Sequence, residues 1–133
     1  MTVDKSSSAE HNIFRTRSES ISISFTGLED FTALMPKEYY KDYVARRIAK
    51  RIQLKVIVPD SSMAREWQRD ARVTLRQVKI ITKTPYSFDG DIEIYKHKIA
   101  IISYKDNFMG TIIESKEIAN MLRTAFELLW GGA

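Results

Sequence analysis

Leu54-Lys55-Val56-Ile57-Val58-Pro59-Asp60 is the stretch on which the fold turns. Its apolar side chains are mostly β-branched, so it reads as a short strand, and Pro59-Asp60 closes it. A strand with one wet face would alternate. A run this continuously apolar predicts burial on both faces, as in a central parallel strand. Upstream, Ile21-Ser22-Ile23-Ser24-Phe25 does alternate, which predicts a half-buried strand stopped at Gly27. Leu28 to Met35 predicts a short helix ended by Pro36, because the residue before a proline avoids the helical region. Pro36 then opens the next helix at its first position. Tyr40, Val44, Ile48 and Ile52 recur every four residues as its apolar stripe, with Arg46, Arg47, Lys50 and Arg51 projecting mostly elsewhere.

Downstream, Asp60 or Ser61 caps a helix that carries Met63 and Trp67 on one side. Val78-Lys79-Ile80-Ile81 is another strand, leading into a loop at Pro85-Tyr86-Ser87-Phe88-Asp89-Gly90. The last third changes character. Asp91 to Tyr95, Lys98 to Ser103 and Phe108 to Glu114 predict three strands joined by short turns, and such turns force antiparallel neighbours. Ser115, followed by Glu117, Ile118, Met121, Leu122, Ala125, Phe126, Leu129 and Trp130, predicts a final amphipathic helix ended by Gly131-Gly132. The expected order is β-α-α-β-α-β-β-β-β-α, an α/β fold with a mixed β-sheet flanked by helices. Residues 1–19, with Ser6-Ser7-Ser8 and few apolar groups beyond Ile13 and Phe14, predict a disordered or loosely docked tail. Residues 20–133 make the domain.

Composition narrows the chemistry. The chain has 133 residues, no cysteine and two histidines, which excludes disulfides, thiol catalysis and thiolate or histidine-rich metal sites. No cofactor is implied. No run approaches the roughly 20 apolar residues of a membrane helix and no secretory signal opens the chain, so a cytoplasmic location off the membrane is expected. Charge is uneven. Residues 36–83 hold thirteen Lys and Arg against five Asp and Glu, a net +8, while the whole chain carries +4. That half either attracts nucleic acid or an acidic ligand, or solvates exposed helix faces with long basic side chains. No aromatic side chains interleave the bases in a nucleic-acid pattern.

Two segments resemble a known family. The first is Tyr39-Tyr40-Lys41-Asp42-Tyr43-Val44-Ala45-Arg46-Arg47-Ile48 running into Leu54–Asp60. The second is Phe88-Asp89-Gly90-Asp91-Ile92-Glu93-Ile94-Tyr95, then Lys98–Ser103, then Gly110-Thr111-Ile112-Ile113-Glu114-Ser115-Lys116-Glu117-Ile118. Together, over roughly residues 20–130, they resemble the C-terminal domain of TrmB-type transcription regulators, which has a phospholipase D-like fold. The resemblance implies an effector-sensing or dimerising module that normally follows a DNA-binding winged helix-turn-helix. It implies a homodimer, a small polar or sugar ligand, and a DNA-binding partner protein. One departure is the turn before Lys98. Relatives carry Gly-Asp or Gly-Asn there, whereas this chain has Lys96-His97, neither suited to positive φ.

Active phospholipase D relatives carry His-x-Lys-x4-Asp, then six residues, then Gly-Ser or Gly-Thr. With Lys98 as the lysine, Lys96 falls on the histidine, Ser103 on the aspartate and Gly110-Thr111 on the final pair. The frame stands without its nucleophile, so the phospholipase D-like domain is a degenerate one. The resemblance then implies no catalysis and a leftover anion or polar-ligand site at Lys96, Lys98, Ser103 and Thr111. His97 lies one residue off the frame, a slip that turns a strand side chain to the opposite face, and reads as a turn histidine. Alternatives remain open: a nucleic-acid-binding module using the basic 36–83 region, or a residual phosphodiesterase.

Overall fold

The apolar run at 54–58 lies where burial on both faces requires, inside a sheet between two parallel neighbours. The computed structural model describes residues 21–27, 37–105 and 109–132. The elements in chain order are β1 (Ile21–Thr26), α1 (Lys37–Ala49), β2 (Gln53–Pro59), α2 (Ser62–Arg69), β3 (Arg76–Ile81), β4 (Gly90–Tyr95), β5 (Lys98–Ser103), β6 (Met109–Glu114) and α3 (Lys116–Gly132). Six strands form one mixed sheet in the order β3-β2-β1-β4-β5-β6. β1, β2 and β3 are parallel; β4, β5 and β6 are antiparallel to their neighbours. The expected tail over 1–19, the helix at Leu28–Met35 and the role of Pro36 lie outside the described residues.

Alternation along each strand assigns the two faces. Ile23, Ile57, Ile94 and Ile99 share one face, and α3 covers it with Ala119 and Phe126. Phe126 is fully buried; it meets Phe25 edge-on at 5.4 Å and stacks on Trp130 at 5.6 Å. Burying a side chain of that size contributes about 2–3 kcal/mol. On the other face, Leu54, Val56 and Val58 pack under Ala64 of α2, with Met63 and Trp67 beside them. The Ser61 hydroxyl caps α2 by accepting from the Ala64 N–H at 3.0 Å. Gly27 and Gly90 sit where no side chain fits. A Cβ there would lie 2.3 Å from the Phe88 carbonyl oxygen and 2.1 Å from that of Ile102, respectively.

β1 departs from the half-buried expectation. Its serine face is as buried as its isoleucine face, with Ser22, Ser24 and Thr26 at 4–5% exposure. Burial without partners would be costly, and these hydroxyls have partners. Ser22 Oγ donates to Glu93 Oε2 at 2.9 Å, and Ser24 and Thr26 share a hydrogen bond at 2.5 Å.

α1 also departs. Arg47, expected to project away from the core, is buried at 5% exposure. Its guanidinium donates to the carbonyls of Ile52 at 2.8 Å, Leu75 at 3.1 Å and Thr74 at 2.6 Å. These carbonyls end two similar turns. After α1, Ile52 N–H reaches Arg47 O and Arg51 N–H reaches Ile48 O; after α2, Arg76 N–H reaches Ala71 O and Leu75 N–H reaches Arg72 O. Both are Schellman-type ends. The left-handed residue that glycine usually supplies is Arg51 in one (φ 57°) and Leu75 in the other (φ 54°).

Candidate functional site

The polar half of the second sheet face faces α1 across a gap. On the sheet side that surface is built from Ser22 of β1, Glu93 and Tyr95 of β4, and Lys98 and Ala100 of β5. Small side chains at 22 and 100 leave room beneath the helix. Across the gap, Tyr39, Tyr43 and Arg46 of α1, with Lys50 just past its end, recur at helical spacing on one face and complete a cavity of about 460 Å³. That volume suits a small molecule.

The electrostatics of the cavity are mixed and ordered by depth. Burial pushes the Glu93 carboxyl above the usual glutamate range; the Ser22 hydrogen bond and the Arg47 charge oppose that push. Arg46 Nε pairs with Asp42 at 3.1 Å in the open, an arrangement worth at most about 1 kcal/mol. Lys98 stands opposite Glu114 in the sheet register. Cations therefore surround a floor whose single carboxyl is pushed above its ordinary range by burial. Such a surface offers donors to an anion and a hydroxyl-binding carboxyl beneath it.

The four residues singled out from the sequence do not converge. Lys98 lines the cavity. Lys96 lies in the β4–β5 turn at φ 57°, with its ammonium 5.4 Å from the Tyr95 ring centre and its carbonyl accepting from Arg123. Lys96 thus takes the positive φ that the sequence disfavours, and the hairpin closes with Tyr95 opposite Lys98. Ser103 and Thr111 stand on the α3 face of the sheet, Thr111 beside Ile101 and Ser103 beside Met109. Ser103 lies five positions after Lys98 along β5, an odd step that reverses the side chain. The proposed cluster is corrected on that ground. His97 is exposed in the same turn.

The basic half is also partly spoken for. Besides Arg47, the Lys55 ammonium bonds Glu127 at 3.2 Å and sits 4.7 Å over the Trp130 ring. Arg65 makes a two-pronged pair with Asp60 at 2.8 and 2.9 Å. Arg76 stacks 3.8 Å over Trp67. Sequence reasoning missed Tyr39, Tyr43, Arg46 and Lys50 as one lining face, although their spacing was visible.

A second cavity of about 450 Å³ opens at the far end of the sheet, lined by Phe25, Phe88, Ile92, Ile101 and Leu122 with Asp91 at its rim. The Asp91 side chain alternates onto the Glu93 face of β4, and burial lifts it from the ordinary 3.8 to about 6, against a Tyr104 hydrogen bond and the Gly27 N–H, with the Glu93 charge adding to the rise. Among the described residues no three His, Asp or Glu side chains gather to hold a metal ion. No helix among them is long and apolar enough to cross a membrane.

Fold and cavity together define a mixed six-stranded α/β domain with a polar pocket under its first described helix. The fold recurs in a solved structure of TrmBL2, described as an archaeal chromatin protein that shows a novel mode of DNA binding. The alignment covers 90% of this chain and 48% of that one, with a TM-score of 0.59 and 11% identity. At that identity the likeness is one of fold, and the chain spans about half the length of that protein. No protein-family profile and no curated protein matches the chain.

Proposed function

We propose that the chain is a non-catalytic regulatory domain that senses a small polar ligand in the α1 cavity and acts with a DNA-binding component. The observation that carries this reading is the cavity itself: a ligand-sized space where Arg46, Lys50 and Lys98 approach from opposite walls over the buried Glu93. The shared fold with a DNA-binding chromatin protein supports the regulatory setting. The placement of Lys96 in a turn, and of Ser103 across the sheet from Lys98, supports the absence of phosphodiester chemistry. Nucleophilic attack needs a nucleophile oriented by a base within hydrogen-bond reach.

The same reading includes a homodimer. Ile118, Met121 and Leu128 of α3 stand 43%, 71% and 70% exposed, spaced as one stripe beside the buried Ala119–Phe126 stripe. Apolar stripes of that kind mark protein contacts more often than solvent faces.

Turnover is tested by release of p-nitrophenol from bis-p-nitrophenyl phosphate, run beside Lys98→Ala. Activity that vanishes in the variant would refute the non-enzyme reading. Sensing is tested by thermal stabilisation across a panel of polar metabolites, and a panel that leaves the melting temperature unmoved would refute it. The resemblance to a DNA-binding protein also favours direct contact of the basic region with nucleic acid. A steep loss of affinity for duplex DNA as salt rises would identify that contact.

A further inference from the structure

We infer that the α1 cavity takes a small ligand bearing a phosphate monoester on a ring, with the phosphate held among Arg46, Lys50 and Lys98. This rests on the sensing reading and specifies its ligand. The argument begins with helical geometry. Arg46 and Lys50 are four residues apart, and the Lys50 N–H still bonds the Arg46 carbonyl at 3.1 Å just past the end of α1, so the two side chains share one side, the one that lines the cavity. Lys98 opens β5 on the opposite wall of the same space. Three cationic side chains thus border one opening, and a compact dianion is the ligand group that answers all three.

The carboxylates nearby do not cancel this. Asp42 is held to Arg46 only by an exposed pair, 58% and 65% open to solvent on its two sides, which a phosphate oxygen exchanges at little cost. Glu114 shares the register of Lys98 but is itself exposed at the sheet margin. Glu93 lies deeper, bonded by Ser22, and its burial disfavours the ionised form that would repel an anion. Arg47 is already committed to three carbonyls and adds fixed positive charge behind the floor.

The rest of the lining calls for a ring. Tyr39, Tyr43 and Tyr95 border the same space, and tyrosine offers a flat apolar surface with a polar tip. Glu93 and Ser22 offer hydrogen-bonding partners to hydroxyls at the floor. A duplex is excluded from such a recess by size; its backbone would meet only the rim. A free phosphate would satisfy the cations and leave the tyrosines unused.

Calorimetric titration of the full chain with inorganic phosphate, glucose, glucose 6-phosphate, adenosine, AMP and a 20-base-pair DNA duplex separates these chemistries. The expected result is binding of one or both phosphorylated rings, at least about tenfold tighter than their unphosphorylated partners or phosphate alone. Glucose 6-phosphate against AMP then distinguishes a sugar ring from a base. Lys98→Ala and Lys50→Gln should each weaken the phosphorylated ligand by about tenfold while leaving the unliganded melting temperature unchanged, since both side chains are exposed. Equal binding of glucose and glucose 6-phosphate overturns the phosphate inference and leaves the sensing cavity standing. No binding by any probe, or binding only to a 20-base-pair duplex, overturns both. Binding that survives both substitutions also overturns the assignment of the phosphate to this rim.

Discussion

Arg47 joins two parts of the chain that share no secondary structure: the end of α1 at Ile52 and the turn before β3 at Thr74 and Leu75. A planar fork with several fixed donors can serve carbonyls on both sides at once, and an ammonium cannot. Arg47→Met therefore strands part-buried carbonyls at Ile52 and Thr74 and removes the charge that steadies Glu93. The expected cost is about 3 kcal/mol, a fall of roughly 10 °C in melting temperature, with Arg47→Lys recovering less than half of it. Asp91 makes a prediction about pH. Its folded value near 6 lies above the ordinary 3.8, so the native state binds the proton more tightly. The resulting stabilisation is complete below about pH 4 and is lost as pH rises through about 6. Asp91→Asn keeps an acceptor for the Gly27 N–H, now 3.1 Å away, and cannot ionise. Melting curves should coincide for parent and variant below pH 4, and above pH 6 the variant should be the more stable by roughly 2 kcal/mol. A variant less stable at pH 7 would show that Asp91 serves as a needed carboxylate.

At the scale of elements, strands were legible because their residues are locally redundant. Several β-branched side chains in β2 point to the same answer, and its parallel, doubly buried place follows from the absence of alternation. The Ser61 cap was legible as one of two neighbouring candidates, and the register chose it. β1 misled because serine normally marks a wet face; here Glu93 from another strand supplies the partner that makes a buried serine tolerable. The α1 face misled for a similar reason. Val44 and Ile48 signal an apolar stripe, but the side of the helix toward the sheet meets polar groups and takes Tyr43, Arg47 and Lys50 instead. The candidate site was legible only at Lys98, because parity along β5 decides which residues share its face and a motif frame does not carry parity. Helix ends carry their own prediction. Left-handed backbone costs a non-glycine residue about 1–2 kcal/mol, and Arg51 bears it at an exposed position. Arg51→Gly should raise the melting temperature by about 3 °C, whereas Arg51→Ala, which keeps the strain, should leave it unchanged. A destabilised glycine variant would mean that the arginine side chain stabilises the turn by more than the strain costs.

Over the whole molecule, the sheet divides into a parallel part, β3-β2-β1, and an antiparallel part, β4-β5-β6, joined where β1 meets β4. The basic excess of +8 falls within residues 36–83, which build α1, β2, α2 and β3 on the parallel side of the sheet. The join has a kinetic consequence. Strands β4, β5 and β6 pair with their immediate neighbours in sequence, and α3 follows directly to cover them. β1 must instead find a partner far along the chain, as Ser22 and Glu93, 71 residues apart, show. Closing short loops precedes closing long ones because the entropic cost is smaller. The order of assembly therefore runs against the order of synthesis: the C-terminal meander organises first and the N-terminal strand slots in last, completing the cavity floor as it does. Ile99→Val in the meander should slow refolding and leave unfolding nearly unchanged, while Ile23→Val in β1 should leave refolding unchanged and hasten unfolding. Stopped-flow chevrons of the two variants, each destabilised by about 1 kcal/mol, measure this, and the reverse assignment of the two effects would place β1 in the nucleus.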